Sequence, residues 1–159
     1  MSKPTVIIYC DGACSPNPGV GGWAAILISP THHGAQRELS GAEAGSTNNR
    51  MELTAAVMAL RALKWPCVVQ MTTDSQYLKK AFTDGWLAKW QRNGWQTVNR
   101  SPVANADLWR QLAPLAEMHD VTWRWVRGHA DDEMNNRCDA LAVQARESLA
   151  QTLPRSSTL

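Results

Sequence analysis

Two short apolar runs, residues 5–10 and 67–72, each deliver an aspartate at their carboxyl end, Asp11 and Asp74, and a stretch of helical periodicity separates them. Runs rich in β-branched residues and apolar on both faces read as buried strands. Strand, helix and strand in that order require a crossover that brings the second strand back parallel to the first, and such crossovers are right-handed. The linking helix is expected over residues 47–64, with Met51, Ala55, Met58, Ala59 and Ala62 on one stripe and Leu53, Val57 and Leu60 on another. Asn49 as cap and Glu52 three residues later have the form of a capping box, and Pro66 ends the helix.

The remaining elements arrange themselves around this unit. Ser15-Pro16-Asn17-Pro18-Gly19, followed by Gly21-Gly22, predicts a turn; residues 23–29 and 35–41 then read as second and third strands of an antiparallel meander. These glycines precede a strand rather than open a helix, so they serve a hairpin and not a phosphate loop. Short helices are expected over 76–82 and 86–91, a longer one over 105–118 interrupted near Pro114, a fifth strand over 121–126 and a closing helix over 133–149. The fold class is α/β with a mixed sheet. At 159 residues, 44% hydrophobic and 19% charged, the chain suits one core and excludes global disorder. We expect a single domain over 1–150 and a flexible tail over 151–159.

The longest apolar run near the start is five residues with no cleavage pattern behind it, so neither a secretion signal nor a membrane span is expected. Cytoplasmic residence and a monomer are the defaults. Cys10, Cys14, Cys67 and Cys138 should then be reduced, as small core or site-lining residues, and no CxxC pair suggests structural zinc. The net charge is only +2, but residues 76–100 hold Lys79, Lys80, Lys89, Arg92 and Arg100 against Asp84 alone.

Open α/β sheets build their sites at the carboxyl ends of their strands, where Asp11 and Asp74 are expected. If the two strands are neighbours, these carboxylates approach each other, Glu52 joins from the start of the crossover helix, and Asp139 joins from the closing helix beside Cys138, Leu141, Ala142 and Ala145. Two unit charges ~4 Å apart repel by about 4 kcal/mol at an effective dielectric near 20. A hard divalent cation with oxygen ligands, Mg²⁺ above all, neutralises such a cluster and suits phosphoryl chemistry, with a pair of ions as the arrangement for hydrolysis. Taken singly, each acid has a structural alternative: Asp11-Gly12 as a turn, Asp74 with Ser75 as a helix start, Glu52 as a cap and Asp139 as a solvated charge. Their joint placement favours the site.

His129 follows the fifth strand in Gly128-His129-Ala130, beside Asp131 and Asp132, a setting suited to proton transfer at neutral pH. His32, His33 and His119 read as surface residues, and Trp123 and Trp125 as core. Trp86, Trp90 and Trp95 interleave with Lys89, Arg92 and Arg100, which suits a nucleic-acid backbone; the alternative is a helical hairpin's small core with a solvated basic face.

The segments YCDGACSPNPGVGGW (9–23), STNNRMEL (46–53), TTDSQY (72–77), GWLAKWQRNGW (85–95) and WVRGHADDEMNNRCDALA (125–142) resemble, in order and over nearly the whole chain, those of the bacterial ribonuclease HI family. The resemblance implies a five-stranded mixed sheet, three strands antiparallel and two parallel to the first, flanked by about five helices. It implies cleavage of the RNA strand of RNA–DNA hybrids with two Mg²⁺ or Mn²⁺ ions, leaving 3′-hydroxyl and 5′-phosphate ends. By position, Asp11, Glu52, Asp74 and Asp139 would hold the metals and His129 would assist proton transfer or product departure. Cys14, Asn17, Asn48, Asn49 and Gln76 would contact the hybrid in its minor groove, and Thr47 with Asn48 would meet a DNA-strand phosphate. Trp86, Lys89, Arg92 and Arg100 would lie in a basic protrusion that grips the DNA strand, thinner in lysine than in the best-known members, so that weaker and more salt-sensitive hybrid binding is expected without loss of chemistry. The acidic run Asp131, Asp132, Glu133 would raise the His129 pKa or recruit further metal. Two rival readings are a non-catalytic hybrid-binding module, which the four filled carboxylate positions oppose, and another metal nuclease of the same fold. Asn48-Asn49, Ser75-Gln76 and the basic hairpin together oppose the second.

Overall fold

The computed structural model describes residues 3–97, 99–127 and 132–153. Among these residues the chain forms five strands and five α-helices: β1 (Thr5–Cys14), β2 (Gly19–Ser29), β3 (Ala35–Ser46), α1 (Asn48–Arg61), β4 (Val68–Thr73), α2 (Gln76–Thr83), α3 (Trp86–Asn93), α4 (Ala106–Met118), β5 (Asp120–Trp125) and α5 (Glu133–Thr152). The strands lie in the order β3-β2-β1-β4-β5. β1 pairs antiparallel with β2 and parallel with β4, while β4 pairs parallel with β5. This is the mixed α/β sheet that the crossover demands.

Alternation along β1 and β2 divides the core between the two faces of the sheet. Val6, Ile8 and Cys10 of β1, with Ala25 and Leu27 of β2, pack with α1, α2 and α4 in the larger cluster. Ala24 and Ile26 pack on the other face against Cys138 and Ala142 of α5. Trp109 of α4 is fully buried in the larger cluster, its indole N–H donating to the Tyr77 hydroxyl at 2.9 Å. Arg50, in the first turn of α1, ties three elements together: its guanidinium donates to Glu43 of β3 at 2.7 Å and to both carboxylate oxygens of Asp107 of α4, at 3.1 and 2.9 Å. No helix among the described residues is long and apolar enough to cross a membrane.

Several expectations need correction. β1 does not stop at Cys10 but runs on through Asp11 to Cys14, paired with β2 as far as Cys14 opposite Gly21. Gly19, Gly21 and Gly22 are therefore strand residues. A Cβ on Gly21 would lie 2.5 Å from Met51 Cγ, and one on Gly22 would strike the Ala142 carbonyl of α5, so close packing and not turn geometry requires glycine there. Thr47, not Asn49, caps α1, accepting from the Arg50 N–H at 3.1 Å, so Glu52 lies one and a half turns in and is no capping-box residue. α4 continues through Pro114, whose missing N–H would have faced exposed Arg110 on the solvent side. His119 is buried at 3% exposure rather than superficial, its Nδ1 accepting from the Cys67 N–H at 3.0 Å. The four cysteines are free and buried.

Candidate active site

Three elements converge at the carboxyl end of the parallel strands. Asp11 projects from β1, Asp74 follows the end of β4, and Glu52 reaches across from α1. Each offers a carboxylate oxygen, and the three oxygens lie within 4.8 Å of one another. The approach of Glu52 depends on Gly12: a Cβ there would stand 2.5 Å from the Glu52 nitrogen and 2.6 Å from the Met51 carbonyl carbon. With only hydrogen at that position, α1 settles directly onto β1. Asp74 is placed from two sides, by Ser75 capping α2 through the Leu78 N–H at 3.2 Å, and by Trp125 of β5, whose indole N–H donates to the Asp74 carbonyl at 3.0 Å. Trp125 is thus a partner of the site rather than a core residue.

Asp139 of α5 completes a cleft of about 280 Å³ lined by Asp11, Gly12, Asn48, Glu52, Asp74, Asn135, Asn136 and Asp139. Asn135 and Asn136, four and three residues before Asp139, share its helix face; that spacing is the signal by which the sequence could have shown them.

The electrostatics are adverse without a cation. Asp11 is 3% exposed, and burial first, then the charges of Asp74 and Asp139, push its pKa from 3.8 up to about 8, although the Gly12 N–H donates to it at 2.9 Å. Glu52 is likewise held well above the usual carboxylate range, by burial and then by Asp11 and Asp74. Glu52 Oε2 and Asn135 Oδ1 are buried without a hydrogen-bond partner. Unpaired oxygens from α1 and α5, in a cleft with no nitrogen or sulfur donor among its lining side chains except the amides, fit a hard divalent cation.

The residues expected to meet substrate gather at the start of α1. The Cys14 N–H donates to Asn48 Oδ1 at 2.7 Å, the Asn48 N–H donates to Asn17 Oδ1 at 3.2 Å, and Thr47 caps the helix. Asn17 and Asn49 lie there, and Gln76 is exposed at the start of α2. Trp86, Lys89 and Trp90, with Gln96 and Thr97, line a shallow groove on the α3 hairpin. Trp86 and Trp90 have ring centroids 5.9 Å apart, and Trp90 leans on Trp109 at 5.4 Å. These rings are therefore half-buried, both structural and accessible, whereas Lys89, Arg92 and Arg100 are exposed. His129 and Asp131 lie outside the described residues. Of the acidic run, Asp132 is committed to capping α5, accepting from the Asn135 N–H at 3.1 Å.

Comparison with known proteins shows the family and the fold. The sequence model of the RNase H family matches residues 3–147. Ribonuclease H of Moorella thermoacetica is 55% identical over 152 residues, spanning 95% of this chain and 98% of that protein. Ribonuclease H of Symbiobacterium thermophilum is 56% identical over 140 residues, 88% of this chain and 93% of the relative. Among solved structures, LC9-RNase H1, described as a type 1 RNase H with the type 2 active-site motif, superposes with a TM-score of 0.82 at 31% identity, over 93% of this chain and 74% of that one. LC11-RNase H1, solved in complex with RNA/DNA hybrid, shares the fold with a TM-score of 0.67 at 21% identity, over 91% of this chain and 99% of that one.

Proposed function

The chain belongs to the ribonuclease H family, and from that premise we propose that it is an endonuclease hydrolysing the RNA strand of RNA–DNA hybrids at the carboxylate cleft. The observation that carries the reading is the meeting of Asp11, Glu52 and Asp74 within 4.8 Å in a 280 Å³ cleft that Asp139 also lines. A non-catalytic module would have no reason to keep mutually repelling acids buried at this cost.

We assign Asp11, Glu52, Asp74 and Asp139 as the residues that hold divalent cation, Mg²⁺ as a pair of ions with Mn²⁺ as a substitute. Bound there, the cation supplies Lewis-acid stabilisation to the attacking and leaving oxygens of the phosphodiester. The chain's own groups do the rest. The four carboxylates place that charge at one point on the strand, and the buried floor formed by Asp11 excludes bulk water from it. His129 handles the proton in attack or product release, and the bond broken is P–O3′, leaving a 3′-hydroxyl and a 5′-phosphate. Asn48 lines the cleft at the start of α1, Cys14 at the end of β1 and Asn17 after it are bonded to Asn48, Asn49 follows it and Gln76 opens α2; these five are the residues we assign to the 2′-hydroxyls that separate RNA from DNA. Thr47 and Asn48 offer the N-terminal end of α1 to a DNA-strand phosphate. One domain over 1–150, acting as a monomer in the cytoplasm, is sufficient for this chemistry.

Labelled RNA–DNA hybrid, duplex DNA, duplex RNA and single-stranded RNA, each incubated with Mg²⁺ or with chelator, test the reading together. Only the RNA of the hybrid should be cut, and only with the cation; equal cutting of duplex DNA would favour another metal nuclease of this fold. The α3 hairpin has its own test. Replacing Lys89, Arg92 and Arg100 with alanine should flatten the dependence of log affinity on log salt by about 0.9 for each phosphate left without its cation. An unchanged slope would make that face solvated surface only.

A further inference from the structure

On the β5 side of the carboxylates lies a second groove, of about 320 Å³, to which the proposed hydrolysis assigns no role beyond Gln76; it is lined by Gln76, Lys79, Lys80, Thr83, Asp84 and Trp125. Gln76, Lys79, Lys80 and Thr83 follow helical spacing along one face of α2, starting two residues after Asp74. Trp125 forms the opposite wall, and it is the same indole whose N–H donates to the Asp74 carbonyl at 3.0 Å. The groove is therefore continuous with the backbone that carries a carboxylate of the cleft. The Lys79 ammonium lies over this ring, 4.9 Å from its centroid, so a side chain that would otherwise sample many rotamers is seated beside the site. Two ammonium groups face one carboxylate, that of Asp84, which accepts from the Thr83 hydroxyl at 3.3 Å.

The sheet order gives this groove a direction. Thr47 and Asn48 sit on the β2 side of Asp11, where Asn48 is bonded to Cys14 and Cys14 pairs with Gly21. Trp125 sits on the far side of β4. The carboxylates stand between two cationic or dipolar flanks. A duplex whose uncut strand rests on the α1 end would lead its cut strand out past β4, where Lys79 is the cation seated on Trp125. We propose that Lys79, seated on Trp125 and assisted by Lys80, forms a subsite for an RNA-strand phosphate flanking the scissile one. This rests on the hybrid-cleaving function proposed for the carboxylate cleft.

The test is a thermodynamic cycle between Lys79 and single phosphates. Hybrids carrying one neutral methylphosphonate at successive positions of the RNA or the DNA strand are cleaved by the wild-type protein and by Lys79→Gln. At one RNA position the wild type should fall about 3–10-fold in kcat/KM, the effect of neutralising a single phosphate that a lysine holds. Lys79→Gln should show that fall already on unmodified hybrid and none further at that position, while Lys79→Arg retains the wild-type pattern. Asp84→Asn, which removes the opposing charge, should raise kcat/KM. Additive effects at every RNA position, or coupling to a DNA-strand phosphate instead, would overturn the subsite while leaving hybrid cleavage intact. A wild type inert on unmodified hybrid would overturn the functional reading and the subsite with it.

Discussion

Replacing Asp11 with asparagine should abolish hydrolysis and, without divalent cation, make the folded protein more stable at neutral pH. The loss of activity follows from removing the carboxylate shared by the three-acid cluster; it should exceed the roughly 10²–10³-fold cost of deleting a single oxyanion donor, since the cation itself is misplaced. The gain in stability follows from the sign of the pKa shift. An acid whose pKa rises from 3.8 to about 8 on folding imposes no penalty below pH 4, an increasing one as pH climbs through the interval, and a constant one above pH 8. At about 1.4 kcal/mol per pH unit, Asp11→Asn should stabilise the metal-free protein by about 2–4 kcal/mol at pH 7, a rise in Tm of about 5–10 °C, with the difference vanishing near pH 4. Mg²⁺ should raise the Tm of the wild type more than that of the variant, because only the wild type gains relief of repulsion along with the ligand. Thermal unfolding in chelator at pH 4 and pH 7, beside a cleavage assay, reads all of this. Equal melting temperatures at pH 7 would mean that burial and the neighbouring charges do not destabilise ionised Asp11, and undiminished cleavage by the variant would remove it from the metal site.

The parts of this site that are legible in the sequence are those that strand and helix periodicity transmit. The run from Thr5 to Cys10 declares itself by being apolar and β-branched and that from Cys67 to Thr72 by following the helix-ending Pro66, and the crossover rule then allows them to be neighbours. Asp11 and Asp74 follow from that, and Glu52 and Asp139 follow from lying on the helices that must cover those strands. What is not legible depends on contacts between residues distant in sequence. Gly21 and Gly22 look like turn residues because glycine is read by its backbone freedom, whereas here it is chosen for having no side chain beneath α1 and α5. Asn49 with Glu52 mimics a cap, but Asn17 and Cys14 bond to Asn48 and draw the helix start back to Thr47. Arg50 looks like an ordinary helix charge until α4 brings Asp107 to it across 57 residues. His119 and Trp125 are misplaced by sequence reasoning for the same cause: their partners, the Cys67 N–H and the Asp74 carbonyl, flank the neighbouring strand, and no local pattern announces them.

Gly12→Ala should be among the most damaging changes of a single methyl in this chain, and it separates the packing of the site from its chemistry. Gly12 lies on the face of β1 that carries Val6, Ile8 and Cys10 into the larger core, two residues beyond Cys10 in the alternation. The added Cβ would meet Glu52 N at 2.5 Å, the Met51 carbonyl carbon at 2.6 Å and Met51 Cβ at 2.7 Å, and the first two are backbone atoms that cannot rotate away. Relief requires α1 to lift from the sheet. That motion also disturbs the Arg50 clamp on Glu43 and Asp107, so the expected cost is at the upper end of overpacking, about 3 kcal/mol or more. The same displacement draws Glu52 from Asp11 and Asp74, and a misplacement of about 1 Å at a reacting centre costs on the order of 10²-fold in rate. Unlike Asp11→Asn, this variant keeps every carboxylate, so it should lose stability and activity together, and raised Mg²⁺ should recover part of both by holding Glu52 in place. Thermal unfolding and kcat over a Mg²⁺ titration distinguish the cases. A variant of wild-type stability would show that α1 does not rest on Gly12, and full stability loss with unchanged kcat would show that the position of Glu52 is not set by that contact.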